Sequence, residues 1–126
     1  MSNHIAFIGV GNMGNPMAQQ LVKAGQNVKV FDVSPDVIEI AKQSGLNVIS
    51  SMEELLQGAT TVISMLPEGK HVRSLYLGDN GILKKIPKDC LIIDCSTIDI
   101  KTSFMGWKDK KKKKEGNQLR LYKKYY

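Results

Sequence analysis

His4-Ile5-Ala6-Phe7-Ile8-Gly9-Val10-Gly11-Asn12-Met13-Gly14 is the stretch on which the reading of this chain turns. A short apolar run stops at three glycines spaced G-x-G-x-x-G, and an amphipathic segment follows at once. The order strand, glycine turn, helix makes a common pattern into a candidate dinucleotide-binding turn. The three glycines have separate tasks in such a turn. Gly9 lets the chain bend tightly out of the strand, Gly11 lets the backbone approach a diphosphate, and Gly14 lets helix and strand pack closely. The N–H groups of the first helical turn and the positive end of the helix dipole both favour an anion there. Pro16 fits that turn, where its missing N–H has no intrahelical partner to lose. A glycine turn with no ligand is the plainer alternative, and the residues downstream weigh against it.

Beyond the turn, Met13, Met17 and Leu21 recur every fourth residue with Ala18 and Val22 beside them, and Gly25 closes this helical stripe. Asn27–Asp32 reads as a second strand that ends in a carboxylate. Asp32 stands 18 residues after Gly14, near the spacing of about 20 at which an acidic side chain takes the adenosine ribose. A carboxylate accepts hydrogen bonds from a 2′-hydroxyl and repels a 2′-phosphate. Val33, Ser34 and Pro35 offer no cation that would recognise such a phosphate. NAD is therefore the expected cofactor, rather than NADP. The bland alternative is that Asp32 only caps the next helix.

Pro35 opens a second helix over Asp36–Ser44, ended by Gly45, and Leu46–Ile49 is a short third strand. Ser51 stands three residues before Glu54, the pattern of a helix start. Thr60–Leu66 is nearly continuous in apolar and β-branched residues, as a strand buried on both faces should be. A helix over Glu68–Tyr76, a loop at Asp79-Asn80-Gly81, a helical turn over Ile82–Ile86 and a fifth strand over Cys90–Cys95 complete the pattern. Strands alternating with helices predict an α/β, doubly wound, parallel sheet of Rossmann type with strand order 3-2-1-4-5. In such sheets ligands bind beyond the carboxyl ends of the strands, where the order reverses. That places Gly9–Gly14, Asp32, Leu66, Pro67, Ser96 and Thr97 along one edge.

Composition narrows the classes. With 126 residues, 42% of them apolar, there is room for one domain with a real core. No apolar run reaches the roughly 18 residues of a membrane span, and the first strand begins too early for a leader to precede it. No membrane association is expected. Cys90 and Cys95 fall on one predicted strand, about 16 Å apart at about 3.3 Å per residue, too far to bridge. Two free thiols suit a reducing compartment. No Cys/His cluster has ligand spacing, so no metal is expected. The net charge of +6 is local: residues 107–126 hold nine Lys/Arg against two carboxylates, and the other 106 residues hold nine against ten. The globular part gives no electrostatic ground for nucleic acid as a partner.

Taken together, these residues resemble the β-hydroxyacid dehydrogenase family, the 3-hydroxyisobutyrate dehydrogenases most of all. The resemblance is carried by Phe-Ile-Gly-Val-Gly-Asn-Met-Gly-Asn-Pro-Met-Ala (7–18), Lys-Ala-Gly (23–25), Phe-Asp-Val-Ser-Pro (31–35), Ser-Met-Leu-Pro (64–67), Asn-Gly-Ile-Leu-Lys-Lys (80–85) and Asp-Cys-Ser-Thr-Ile-Asp (94–99). It covers residues 4 to about 102. It implies that Gly9, Val10, Gly11, Asn12, Met13 and Gly14 hold the NAD diphosphate and Asp32 the adenosine ribose. Leu66 and Pro67 would line the adenosine side, Thr97 would approach the nicotinamide, and Ser96 would face the substrate. His71 stands where the family often has an asparagine that touches the cofactor. The complete enzyme would pass a hydride from a small 3-hydroxy acid to NAD, in the cytoplasm or, by resemblance, the mitochondrial matrix.

The departures are as specific. Ile100 replaces the family's proline, and from about Phe104 nothing matches: no Ser-Gly-Gly loop, and no helical second domain with its catalytic lysine. The chain reads as a single truncated NAD-binding domain (1–106) with a disordered, low-complexity basic tail (107–126). No catalytic residue is assigned. Alone it should have little activity, because substrate positioning and proton transfer supply most of the acceleration. A face left uncovered would favour self-association. Two other readings stay open: a non-catalytic module whose basic, aromatic tail binds nucleic acid or an acidic partner, and, within the enzyme class, a glyoxylate or succinic semialdehyde reductase.

Overall fold

Six parallel strands form one sheet in the order β3-β2-β1-β4-β5-β6 in the computed structural model of the chain. It describes residues 3–66, 69–78, 81–87, 89–95 and the backbone of 120–123. The elements are β1 (His4–Ile8), α1 (Gly14–Lys23), β2 (Val28–Phe31), α2 (Pro35–Gln43), β3 (Asn47–Val48), α3 (Met52–Leu56), β4 (Ala59–Ser64), α4 (Gly69–Leu77), a 3₁₀ turn (Ile82–Lys84), β5 (Leu91–Asp94) and β6 (Arg120–Lys123). The expected order 3-2-1-4-5 holds, with β1 between β2 and β4.

The continuous apolar strands serve two cores. Along β1, Ala6 and Ile8 join a cluster with Leu55, Leu56, Val62, Tyr76 and Ile92. Phe7, pointing the other way, joins Val10, Ala18, Val30, Ala41 and Ile63. Adjacent residues on one strand thus feed opposite faces, so neither residue of the pair Val62 and Ile63 can be polar without opening a core. His4 at the head of β1 is 1% exposed, and its Nε2 donates to Leu55 O at 2.6 Å. Helix ends follow their sequence signals. Gly25 N–H reaches Val22 O and Gln26 N–H reaches Leu21 O, and Gly45 and Leu46 repeat the arrangement behind α2. Ser51 Oγ accepts the Glu54 N–H at 3.0 Å, a cap worth about 1 kcal/mol.

The sixth strand is a departure from expectation. Arg120–Lys123 lies inside the stretch read as a solvated tail, yet its backbone pairs with β5, Ile92 opposite Leu121 and Ile93 opposite Tyr122. Without it β5 would carry an open row of backbone donors and acceptors. Residues 96–119 are more than the dozen or so that a parallel crossover needs.

Polar groups inside the sheet are paired. Ser64 Oγ donates to Asp94 Oδ1 at 3.1 Å across β4 and β5, so the Tyr76 hydroxyl, 2.7 Å from Ser64 Oγ, is the donor of that second bond. All three residues are buried. Burial pushes the Tyr76 phenol above its ordinary value, the Asp94 charge adds to this, and the bond with Ser64 opposes it. A phenol that keeps its proton longer folded than unfolded contributes stability that is complete below about pH 10 and is lost above it. Denaturant melts from pH 8 to 11 should therefore fall off by up to about 1.4 kcal/mol per pH unit at the alkaline end. In Tyr76→Phe that part of the slope should vanish, at a cost of about 1 kcal/mol at pH 8. An unchanged alkaline slope would show that Tyr76 does not titrate with unfolding.

Candidate functional site

A cleft of about 790 Å³ opens at the carboxyl ends of β1, β2 and β4. The glycine turn forms its floor. Gly9 adopts φ +93°, and a Cβ built there would overlap Met65 O, so the bend out of β1 is open to glycine alone. A Cβ on Gly14 would overlap Gly9 O and stand 3.2 Å from Phe7 Cε1. Gly11 differs: a Cβ there would meet nothing within 4 Å. Packing requires Gly9 and Gly14. It does not require Gly11, whose open side is the cleft itself.

No side chain caps the start of α1, and Asn15 N–H donates to Gly11 O at 2.9 Å. The amides between them therefore stand at the positive end of the helix with no capping group, where an anion is favoured. Val10 sits behind the turn's open face. It is buried in the core, it does not line the cleft, and its N–H donates to Asp32 Oδ2 at 3.0 Å.

Asp32 follows β2 and lines the same cleft. Its Oδ1 accepts the Ser34 N–H at 3.0 Å. It is not the helix cap: Ser34 is, its Oγ receiving Val37 N–H at 3.5 Å. Each carboxylate oxygen has one backbone donor, which leaves a lone pair on each for a ligand hydroxyl. Among the described lining residues Asp32 is the only carboxylate, and there is no Lys or Arg.

Asn12, Met13, Leu66 and His71 also line the cleft. His71, on α4, is exposed. Pro67, Ser96 and Thr97 lie outside the described residues. The walls include side chains that the sequence pattern did not single out: Phe31, Val33, Val37, Met52, Met65 and Leu75. Val33 is 85% and Met13 66% exposed. Two apolar side chains left in water at the mouth of an apolar cleft are placed to meet a flat ligand. The one signal available for the walls was position, since several of them sit just past the end of a strand. Cys90 and Cys95 are both buried. Among the described residues no group of three or more His, Cys, Asp or Glu could hold a metal, and no helix is long and apolar enough to cross a membrane.

Comparison with known proteins agrees with this geometry. Residues 4–118 match the family model described as the NAD binding domain of 6-phosphogluconate dehydrogenase, beyond residue 102 or so where the resemblance by motif stops. The chain is 50% identical over 99 residues to a 3-hydroxyisobutyrate dehydrogenase of Pseudomonas aeruginosa, covering 79% of this chain and 33% of that one. It is 48% identical over 95 residues to the mitochondrial 3-hydroxyisobutyrate dehydrogenase of Mus musculus, covering 75% and 28%. Among solved structures, the Mycobacterium tuberculosis 3-hydroxyisobutyrate dehydrogenase with L-serine superposes with a TM-score of 0.82 at 34% identity, over 98% of this chain and 40% of that one. The chain thus spans about a third of the length of the relatives it matches. It belongs to the family of the NAD binding domain of 6-phosphogluconate dehydrogenase, and its fold is the nucleotide-binding domain of a 3-hydroxyisobutyrate dehydrogenase-like oxidoreductase.

Proposed function

We propose that the cleft binds NAD in preference to NADP, as the cofactor-binding part of an oxidoreductase for small 3-hydroxy acids. One observation carries this: the middle glycine of the turn, Gly11, which no packing demands, opens onto the same cleft as the Asp32 carboxylate. Gly11 and the uncapped amides of α1 would hold the diphosphate, Asp32 the adenosine ribose, and Val33, Val37 and Leu66 the adenine. A bound nicotinamide would supply hydride acceptance. The chain's own residues hold and orient the dinucleotide and keep water from its apolar end. Pro67 and Thr97 remain assigned to the adenosine and nicotinamide ends by resemblance.

Asp32 supports the choice of NAD. Against a 2′-phosphate at about 4 Å, with an effective dielectric near 20, each charge pair costs on the order of 4 kcal/mol. No described lining cation offsets it. The substrate class rests on the relatives. The 3-hydroxyisobutyrate and L-serine of those relatives both carry a primary alcohol on the carbon β to a carboxylate. Calorimetric titration of the chain with NAD and NADP checks the proposal. NAD should bind at least about 100-fold more tightly, about 2.7 kcal/mol. Equal affinities would remove Asp32 from the sugar site, and no binding of either would remove the site.

A further inference from the structure

We infer that Asp32 is a positioning residue for the glycine turn: its carboxylate fixes the shape of the diphosphate cradle before any ligand arrives. The inference rests on the dinucleotide reading of the cleft and adds a second task to the sugar-binding residue. The two oxygens of Asp32 are divided between two backbone segments. Oδ2 takes the Val10 N–H, inside the turn, at 3.0 Å. Oδ1 takes the Ser34 N–H, at the start of α2, also at 3.0 Å. Gly9 N–H, one residue before, donates to Phe31 O at 2.9 Å, one residue before Asp32. The turn after β1 is thus stitched to the end of β2 by two consecutive amides, one on a main-chain carbonyl and one on a side chain.

The side-chain bond is the one a substitution can remove. Val10 is buried, so its amide would have no water to replace the carboxylate, and a buried donor without an acceptor is costly. The turn would have to reorganise to find a partner. Gly11, next in the chain, moves with it, and the amides ahead of α1 would no longer converge on one point. Specificity and cradle shape are therefore coupled in one side chain. Exchanging Asp32 for a cation to admit a 2′-phosphate should disorder the diphosphate site rather than convert the preference.

The sign of one measurement separates this from a purely sugar-binding role. Inorganic pyrophosphate has no sugar. Were Asp32 only a sugar clamp, removing its charge would leave pyrophosphate affinity unchanged or raise it, because like charges repel. A positioning role predicts the reverse, a fall of at least about 10-fold in Asp32→Ala by calorimetry. In the same ligand-free variant, amide hydrogen exchange at Val10 should quicken by about 10-fold or more while Phe7 in β1 keeps its protection. Asp32→Asn is the second variant, should alanine fail to fold. Its amide nitrogen cannot accept, so it can satisfy only one of the two N–H groups, and it should show the same two changes in smaller measure. Unchanged Val10 exchange, or pyrophosphate binding as tightly as in the wild type, would overturn the inference. Because exchange is read without ligand, that result is independent of whether NAD binds the wild-type chain.

Discussion

Gly14→Ala should lower the melting temperature by roughly 10 °C, the cost of about 2–3 kcal/mol of overpacking in a domain of this size. Helix propensity alone predicts the opposite, since alanine is favoured over glycine inside a helix by up to about 1 kcal/mol. The reason for the reversal is local. The added methyl would overlap Gly9 O and crowd Phe7 Cε1 at 3.2 Å. Neither neighbour can yield. Phe7 is fully buried, and Gly9 is fixed by its φ of +93° and by its N–H on Phe31 O. The first turn of α1 must therefore lift from β1, opening the core that Ala18 fills. Thermal melts followed by circular dichroism check this. A melting temperature equal to or above the wild type would show that helix and strand do not approach as closely as described.

Most of the architecture was legible because each element carries its own signal. Phe7 and Ile8 are adjacent and both apolar, which a strand with one wet face would not permit, and the two go to opposite cores. Gly25 and Gly45 end their helices with positive φ, as isolated glycines after amphipathic stripes should. The glycine turn and Asp32 were legible as a pair because a chemical need fixes both residue types and their separation. The cleft walls were not. Phe31, Val37, Met52 and Leu75 come from different elements, and each satisfies the ordinary pattern of its own element. Only the sheet order brings them to one opening. The place of Val10 was hidden for a related reason. Its amide is held by a carboxylate 22 residues away, a bond that no local pattern announces. Arg120–Lys123 was masked by composition, since a lysine-rich flank lowers the apparent strand signal of a four-residue edge segment.

Gly11→Val should do the reverse of Gly14→Ala: it should remove NAD binding and leave the fold intact. A Cβ at Gly11 meets no atom within 4 Å, and Gly11 is not among the residues with positive φ. A methyl there has neither a clash nor backbone strain to relieve, so the melting temperature of Gly11→Ala should stay within about 2 °C and that of Gly11→Val close to it. The space the new side chain enters is the floor of the cleft, where a diphosphate needs bare backbone at van der Waals distance. One methyl, in Gly11→Ala, should weaken NAD by about 10-fold, and the branched side chain of valine by about 100-fold or more, close to 2.7 kcal/mol. Adenosine, which has no diphosphate, should bind both variants as it binds the wild type, since Asp32 and the apolar walls are untouched. The graded loss confined to diphosphate ligands, with unchanged melting, is the result that ties this turn to the cofactor. Equal NAD affinity across glycine, alanine and valine would place the dinucleotide elsewhere, and the open side of Gly11 would then have no ligand to explain it.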